Sequence, residues 1–570
     1  MTFKFNKITI FIIFFFILFS NTKSFSSNES SFYSKENVTN YIYGMLSSKN
    51  NNYNKSLDSF EKIRKLEKIH TPFIKHFIFS LVENQKINQA FFFLKKNREK
   101  SEFFEGNIIL GSIFLVNNEF KEAKKEFNIA KNQQQISNFE ILIANTLIYY
   151  SHIVDINKIE KDNINANFFK GYGNFNKIQE VFINCYLDNE NVDTSFQKLI
   201  NSKEINYNRY IYFYINYLYS KKRYNDAKNI IDANIDNFNS NILLDQTKKW
   251  IDNNQIDKIK NLFNCKNPKH LISEFFYLIA NLYAAENSYS KSNFYLNLSN
   301  YLNPKFKFNK ILLADNFFKM GNYYESRNLY EEFKIKDTFL NWYSVKQISK
   351  IESVLGNNDL ALDLVIDSYK QIPNPSIKIV FDMANFYKNS KKYNKAINLY
   401  SQLLDSLNED HELYKEILYR RGGSYERLKM WKESDSDLIK SLEIEYDDPY
   451  VLNYLAYSWL ERNFNKDKAM EMLMTAYELK PRDPYILDSV GWAYYLNGDY
   501  NKAEKFIRIA LEIMPQDPTV NDHYGDILWK LNKSLEARYF WKNVINLKDA
   551  DTEIKKKIKK KLVFGVESIS

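Results

Sequence analysis

The stretch Asp483–Pro515 reads DPYILDSVGWAYYLNGDYNKAEKFIRIALEIMP, and its spacing decides the fold. Leu487, Val490 and Tyr494 stand at i, i+3 and i+7, which is one face of a helix. Asn497-Gly498-Asp499 is a turn signal, so the stretch divides into a first helix A and a second helix B. Pro515 cannot continue helix B and closes the unit. Antiparallel helices must approach to about 8–10 Å. Gly491 in helix A, with Ala503 and Ala510 in helix B, supplies residues small enough for that approach.

Working outward, the pattern recurs. Gly491 returns as Gly525, and Ala469, Ala503 and Ala537 stand 34 residues apart, as do Ala476 and Ala510, and Pro481 and Pro515. Gly422 opens an earlier unit, 12 residues before Ser434. The same small-to-small spacing of 12 links Ala384 to Ala396, Ala314 to Ser326, Ala280 to Ser292, Gly111 to Ala123 and Gly44 to Ser56. Ala361 and Ala227 read as helix-B positions whose helix-A partners have lost the pattern, and residues 131–210 show no clean unit. Period and pattern resemble the tetratricopeptide repeat (TPR). The resemblance implies an all-α chain of stacked helical hairpins, a right-handed superhelical solenoid in which each repeat touches only its neighbours. The expected organisation is 1–26 an export segment, 27–210 degenerate helical repeats, 211–446 central repeats, 447–547 well-formed repeats, and 548–570 a capping helix with its tail.

Composition agrees with this class. Hydrophobic residues make up 45% and charged residues 26%, which excludes a disordered chain. Only 13 Gly and 10 Pro in 570 residues disfavour a sandwich or barrel, which needs many such turns. The formal charge of +10 is spread through the chain rather than gathered on one face, so nucleic acid is not an expected partner.

The first segment differs. Lys4 and Lys7 precede an apolar run from Ile8 to Phe19, ITIFIIFFFILF, which is short for a membrane span of about 20 residues and right for a signal peptide. Cleavage is expected near Ser24-Phe25-Ser26, and the exported form outside the cytoplasm, in the periplasm of a bacterial cell. The alternative is an uncleaved anchor, the one route by which the chain would hold a membrane. No Cys follows the run, so a lipid anchor is not expected. Cys185 and Cys265 form neither a CxxC pair nor a zinc spacing and read as free, partly buried thiols. A disulfide between them stays open for an oxidising compartment.

No HExxH, Cys/His cluster, GxSxG or phosphate-cradling glycine loop occurs, and the paired carboxylates stand in ordinary loop or helix contexts. The chain is therefore read as non-enzymatic, with no cofactor, no metal and no catalytic residue. Thr552–Leu562 carries Ile554, Ile558 and Leu562 on one helix face and six Lys around it. It reads as a helix closing the open apolar end of the solenoid.

The block Asp447–Leu562, a fifth of the chain, carries a closer likeness. Its Leu-Asp-Ser-Val-Gly-Trp run at Leu487–Trp492, Gly-Asp-Ile-Leu-Trp at Gly525–Trp529 and Glu-Ala-Arg…Trp at Glu536–Trp541 are similar to a bacterial TPR family. In that family a solenoid acts as adaptor for a carboxy-terminal processing protease in the cell envelope. The resemblance implies a scaffold that gathers proteins, a protease and its substrates among them, cell-wall hydrolases included. A second reading is a periplasmic helper in polysaccharide or outer-membrane assembly or export. In a TPR solenoid helix A lines the concave face. Tyr457, Trp492 and Trp529, with Asp488 and Asp526 nearby, are therefore the expected partner-binding residues, and Tyr419 a weaker one. Packing against the neighbouring repeat is the competing role for these aromatics, and Trp541 in helix B reads as core.

Overall fold

The structure, a computed structural model, describes residues 33–100, 102–155, 174–201, 208–235, 242–334 and 339–566. The expected export segment 1–26 lies outside them. Among the described residues the regular structure is thirty α-helices and two short 3-10 helices, with no strand. The chain divides into two compact units, Met1–Leu355 and Gly356–Ser570. The division falls inside the expected central span 211–446, because residues 27–210 and 211–355 pack as one body.

The first unit contains α1 (Lys35–Lys49), α2 (Tyr53–Lys62), α3 (Thr71–Glu83), α4 (Ile87–Lys96), α5 (Phe104–Val116), α6 (Phe120–Lys131), α7 (Asn138–Asp155), α8 (Asn174–Leu187) and α9 (Val192–Ile200). It continues with α10 (Asn208–Ser220), α11 (Tyr224–Ile235), α12 (Ile242–Asp252), α13 (Ile256–Lys260), α14 (Pro268–Ala285), α15 (Tyr289–Leu302), α16 (Asn309–Lys319), α17 (Tyr323–Glu331) and α18 (Phe339–Val354). The second unit contains α19 (Asn358–Lys370), α20 (Ile377–Asn389), α21 (Tyr393–Ser406), α22 (Tyr414–Arg427), α23 (Trp431–Ile444) and α24 (Pro449–Glu461). It ends with α25 (Lys466–Leu479), α26 (Pro484–Leu496), α27 (Tyr500–Ile513), α28 (Pro518–Lys530), α29 (Ser534–Asn546) and α30 (Thr552–Phe564).

Local chemistry sets these boundaries. Asp448, Asp483 and Asp517 each cap a helix A: the carboxylate accepts from two backbone N–H groups of the first turn, and the next residue is Pro at the first helical position. Each A-to-B turn needs one residue at positive φ. Gly498 supplies it at +81°, while Asn463, Asn532 and Lys429 do so elsewhere in the second unit. In the first unit Asn51, Gln85, Asn118, Lys222, Asn254, Asn287 and Gly321 hold the same place. Asn tolerates this region better than other side-chain residues, which is why so many repeats need so few glycines. The recurrence extends the hairpins through Lys35–Lys131, where the small-residue pattern is faint.

The crossings are as tight as the spacing requires. A methyl group on Gly491 would run into the Ile507 side chain, and one on Gly525 into the Trp541 indole. On Gly422 it would stand 3.0 Å from Leu438 Cγ. Ala469, Ala476, Ala503, Ala510 and Ala537 are fully buried, and Pro515 lies in the turn after α27. Upstream, the Ser326 hydroxyl donates to Ala314 O across α16 and α17 at 2.8 Å, so Ser here completes the crossing with a hydrogen bond.

Two expectations need correction. Cys185 and Cys265 are joined in a disulfide 80 residues apart in sequence. Both are buried, and the bond ties α8, within the stretch that lacks a clean repeat, to the segment before α14, beyond it. Nor does each repeat of the first unit touch only its neighbours. Phe79 of α3 packs on Phe294 of α15 with ring centroids 5.2 Å apart, and Asn297 donates to Glu83 at 3.3 Å. Tyr301 donates to Asn88 at 2.5 Å, and Asn322 to Asn51 O at 3.2 Å. The first hairpins therefore meet hairpins more than 200 residues later. Between them α10 and α14 are locked by Arg209, which forks onto Glu274 at 2.7 and 2.6 Å and lies 3.6 Å above the Tyr277 ring.

Candidate partner-binding face of the C-terminal repeats

The A helices α22, α24, α26 and α28 present a connected row of side chains. Tyr454 donates to Glu426 at 3.1 Å. The Trp492 indole N–H donates to Glu461 at 2.6 Å, and its ring stacks on Tyr495 at 4.5 Å and on His523 at 4.0 Å. His523 Nδ1 meets Asp488 at 3.0 Å. The Trp541 indole donates to Asp526 at 3.0 Å, and Lys561 of α30 donates to both oxygens of Asp526 at 2.6 Å. Lys561 also pairs with Asp522, which Lys557 approaches at 3.4 Å.

This geometry sorts the expected contact residues. Asp488 and Trp492 are 8% exposed and Asp526 is 3% exposed. All three face neighbouring repeats or the capping helix, and their polar atoms are already paired inside the protein. Trp529 keeps partial exposure, but its ring lies under Gly565, where a methyl group would collide with it. It also lies 5.5 Å from the Trp541 ring. Gly565 covers one side of the Trp529 ring. Trp541 is core, as expected, with no exposed surface.

Tyr457 alone of the five stays partly exposed with no cover from the capping helix. Burial first, then Glu461 and Asp488, push its hydroxyl above the ordinary tyrosine pKa, with Arg427 acting the other way. It therefore stands as a neutral donor among charged neighbours. Arg427, Glu461 and Tyr495 extend the accessible row on either side. Tyr419 packs at right angles against Tyr454, with centroids 5.8 Å apart.

The buried charges balance. Burial opposes a charged His523, but Asp488, and beyond it Asp522 and Asp526, outweigh burial and hold its pKa above the usual histidine value. Burial and then Asp522 raise Asp526, and Lys561 opposes them. Asp488 with His523, and Asp522 and Asp526 with Lys561, pair with one another here, which makes the cluster a structural strut. Sequence reasoning passed over Lys561 and His523. A signal existed for Lys561: it is seven residues after Ile554 and three after Ile558, on the buried face of the cap.

No protein-family model matches the chain. The TPR repeat-containing protein PA4667 of Pseudomonas aeruginosa is 29% identical over 149 residues, 26% of this chain and 25% of that protein. The chain thus spans about a quarter of the length of that curated relative. Among solved structures, a tetratricopeptide repeat protein from Parabacteroides merdae aligns with 44% of this chain and 97% of its own, at 20% identity and a TM-score of 0.37. The Thermus thermophilus TPR protein TTC0263 aligns with 33% of this chain and 99% of its own, at 16% identity and a TM-score of 0.30. With its 34-residue period, small residues at every well-formed hairpin crossing and a curated relative named for the same repeat, the chain is a tetratricopeptide-repeat protein, an all-α solenoid of helical hairpins.

Proposed function

We propose that this protein is a non-enzymatic scaffold of the bacterial cell envelope that holds partner proteins against the A-helix face of its C-terminal repeats. An envelope processing protease and its substrates are the first candidate partners, on the likeness of Asp447–Leu562 to such adaptors. The observation that carries the reading is the accessible row Arg427, Tyr457, Glu461 and Tyr495, mounted on successive A helices over a fully paired buried cluster. A rigid backing lets a partly exposed aromatic bind at low entropy cost. The Cys185–Cys265 disulfide supports an oxidising compartment outside the cytoplasm. No helix among the described residues is long and apolar enough to cross a membrane.

The test joins fractionation to cross-linking in the native cell. Protein in the envelope fraction should begin near Phe25 to Ser27 and carry no free thiol before reduction. Its cross-linked partners should include an envelope protease. A cytoplasmic protein with two reactive thiols would sink the compartment; cross-links to polysaccharide-assembly proteins alone would sink the protease assignment.

A further inference from the structure

The return of the first hairpins onto later ones leaves an open pocket of about 620 Å³ in the first unit. Its walls come from the α1–α2 turn, the end of α3, α15, α16 and the start of α17. Two features set it apart. Its acidic lining residues are Glu83 and Glu325, and no Lys, Arg or His lines it. Eight lining residues are Asn or Gln, with Tyr53, Phe317 and Tyr324 supplying aromatic surface.

Glu83, the last residue of α3, accepts from Asn297 at 3.3 Å and makes no ion pair with any described residue. It keeps some accessible surface because it faces the cavity, while protein crowds it on its other sides. Burial pushes its carboxyl up to about 8, against the pull of the Asn297 bond. The surrounding frame is held by Asn84, which donates to Tyr53 O at 2.9 Å, and by Asn322, which donates to Asn51 O at 3.2 Å. Lys86, just beyond the turn, faces away and pairs with Glu61 at 3.8 Å.

We propose that this cavity receives the lysine side chain of an extended peptide segment, with its ammonium group against Glu83. A carboxylate kept from water without a cation gains strongly from one supplied by a ligand. Carboxamides offer both donors and acceptors, matching the peptide groups on either side of the lysine. The volume lies in the range of ligand pockets and exceeds what one ammonium group needs. The site belongs to the first unit and the Tyr457 face to the second, and it adds a partner chemistry that the scaffold reading does not contain.

Titration calorimetry on the full purified chain tests this, with a blocked Ser-Gly-Lys-Gly-Ser pentapeptide as probe. Binding should be saturable and should weaken at least about tenfold when the lysine is acetylated, because the buried carboxylate then loses its cation. Glu83→Gln should produce a similar loss; the isosteric carboxamide can still accept from Asn297, and the acetylated peptide needs no variant at all. Binding should be tighter at pH 9 than at pH 7, because Glu83 must give up its proton while lysine, near 10.4, stays charged. The other titratable groups facing the cavity are Glu325, Tyr53 and Tyr324, none of them a histidine. Equal binding of the acetylated peptide, unchanged binding to Glu83→Gln, or no saturable binding of the lysine peptide would each overturn the proposal. Cadaverine binding as tightly as the peptide would overturn the peptide source in favour of a free amine. A failure here leaves cross-linking through Tyr457 untouched.

Discussion

At the scale of single residues, this fold rests on what is missing as much as on what is present. Gly491 and Gly525 leave room for Ile507 and the Trp541 indole at their crossings. Gly491→Leu should lower the unfolding free energy of the second unit by roughly 1–3 kcal/mol, the usual cost of overpacking. Denaturant titration checks it, and an unchanged midpoint would mean that the crossing can open. These positions were legible in the sequence because a side chain missing at a fixed period marks the place where two helices must come close. The roles of Trp492, Asp488 and Asp526 were not legible: helical spacing shows which face a residue is on, not what later covers that face. Lys561 covers Asp522 and Asp526 with only 1% of its side chain exposed. Lys561→Met should cost about 3–5 kcal/mol, since it removes the cation from the buried Asp526 and leaves Asp522 with Lys557 alone. The same cluster sets a pH dependence. His523 has a raised folded-state pKa, so its stabilising charge is fully present below about pH 6.5 and is lost as pH rises through the folded value. Asp526, also raised, acts in the same direction from its unfolded value of about 3.9 upward, below the histidine window. Melting temperatures followed by tryptophan fluorescence should therefore fall from pH 6 to pH 9. His523→Gln should flatten the part due to histidine, and a wild-type curve that rises with pH would mean that the cluster does not hold its charges as described.

At the scale of elements, the hairpin is the unit and the connections between hairpins carry the exceptions. The A-to-B turns use Asn, Gln or Lys at positive φ as readily as Gly, so glycine alone was a poor guide to the N-terminal repeats. The disulfide was equally hidden. Two cysteines 80 residues apart give no spacing signal, and only the packing of α8 near the segment before α14 brings their α-carbons to 5.9 Å. Cys185→Ser should destabilise the first unit by about 2–4 kcal/mol and leave the second unit's melting unchanged. Limited proteolysis of wild type and variant, read by the cut sites, would show whether the loss is confined to residues before Gly356. The capping helix α30 was legible as an element from Ile554, Ile558 and Leu562. Its hold on Trp529 through Gly565 was not, because a lone glycine after a lysine-rich helix says nothing about which ring it crosses.

At the scale of the molecule, the chain is two compact units built from one repeat, with different ways of completing themselves. The second unit is closed by a helix whose buried lysine pairs with Asp522 and Asp526 of the last repeat. The first unit turns its early hairpins onto later ones and so acquires contacts that a 34-residue period cannot announce. The fold class followed from the repeat, while the burial of Trp492, Asp488 and Asp526 showed only in the cover of the capping helix and the stacking of Trp492 on His523. A protein-binding face on the C-terminal A helices can be probed by placing a photo-cross-linking residue at Tyr457 in the native cell. Leu535, 80% exposed on helix B, is the matched control. Discrete cross-linked proteins are expected from position 457 and few or none from position 535. Equal capture at both positions, or capture from 535 alone, would contradict a binding face on the A helices.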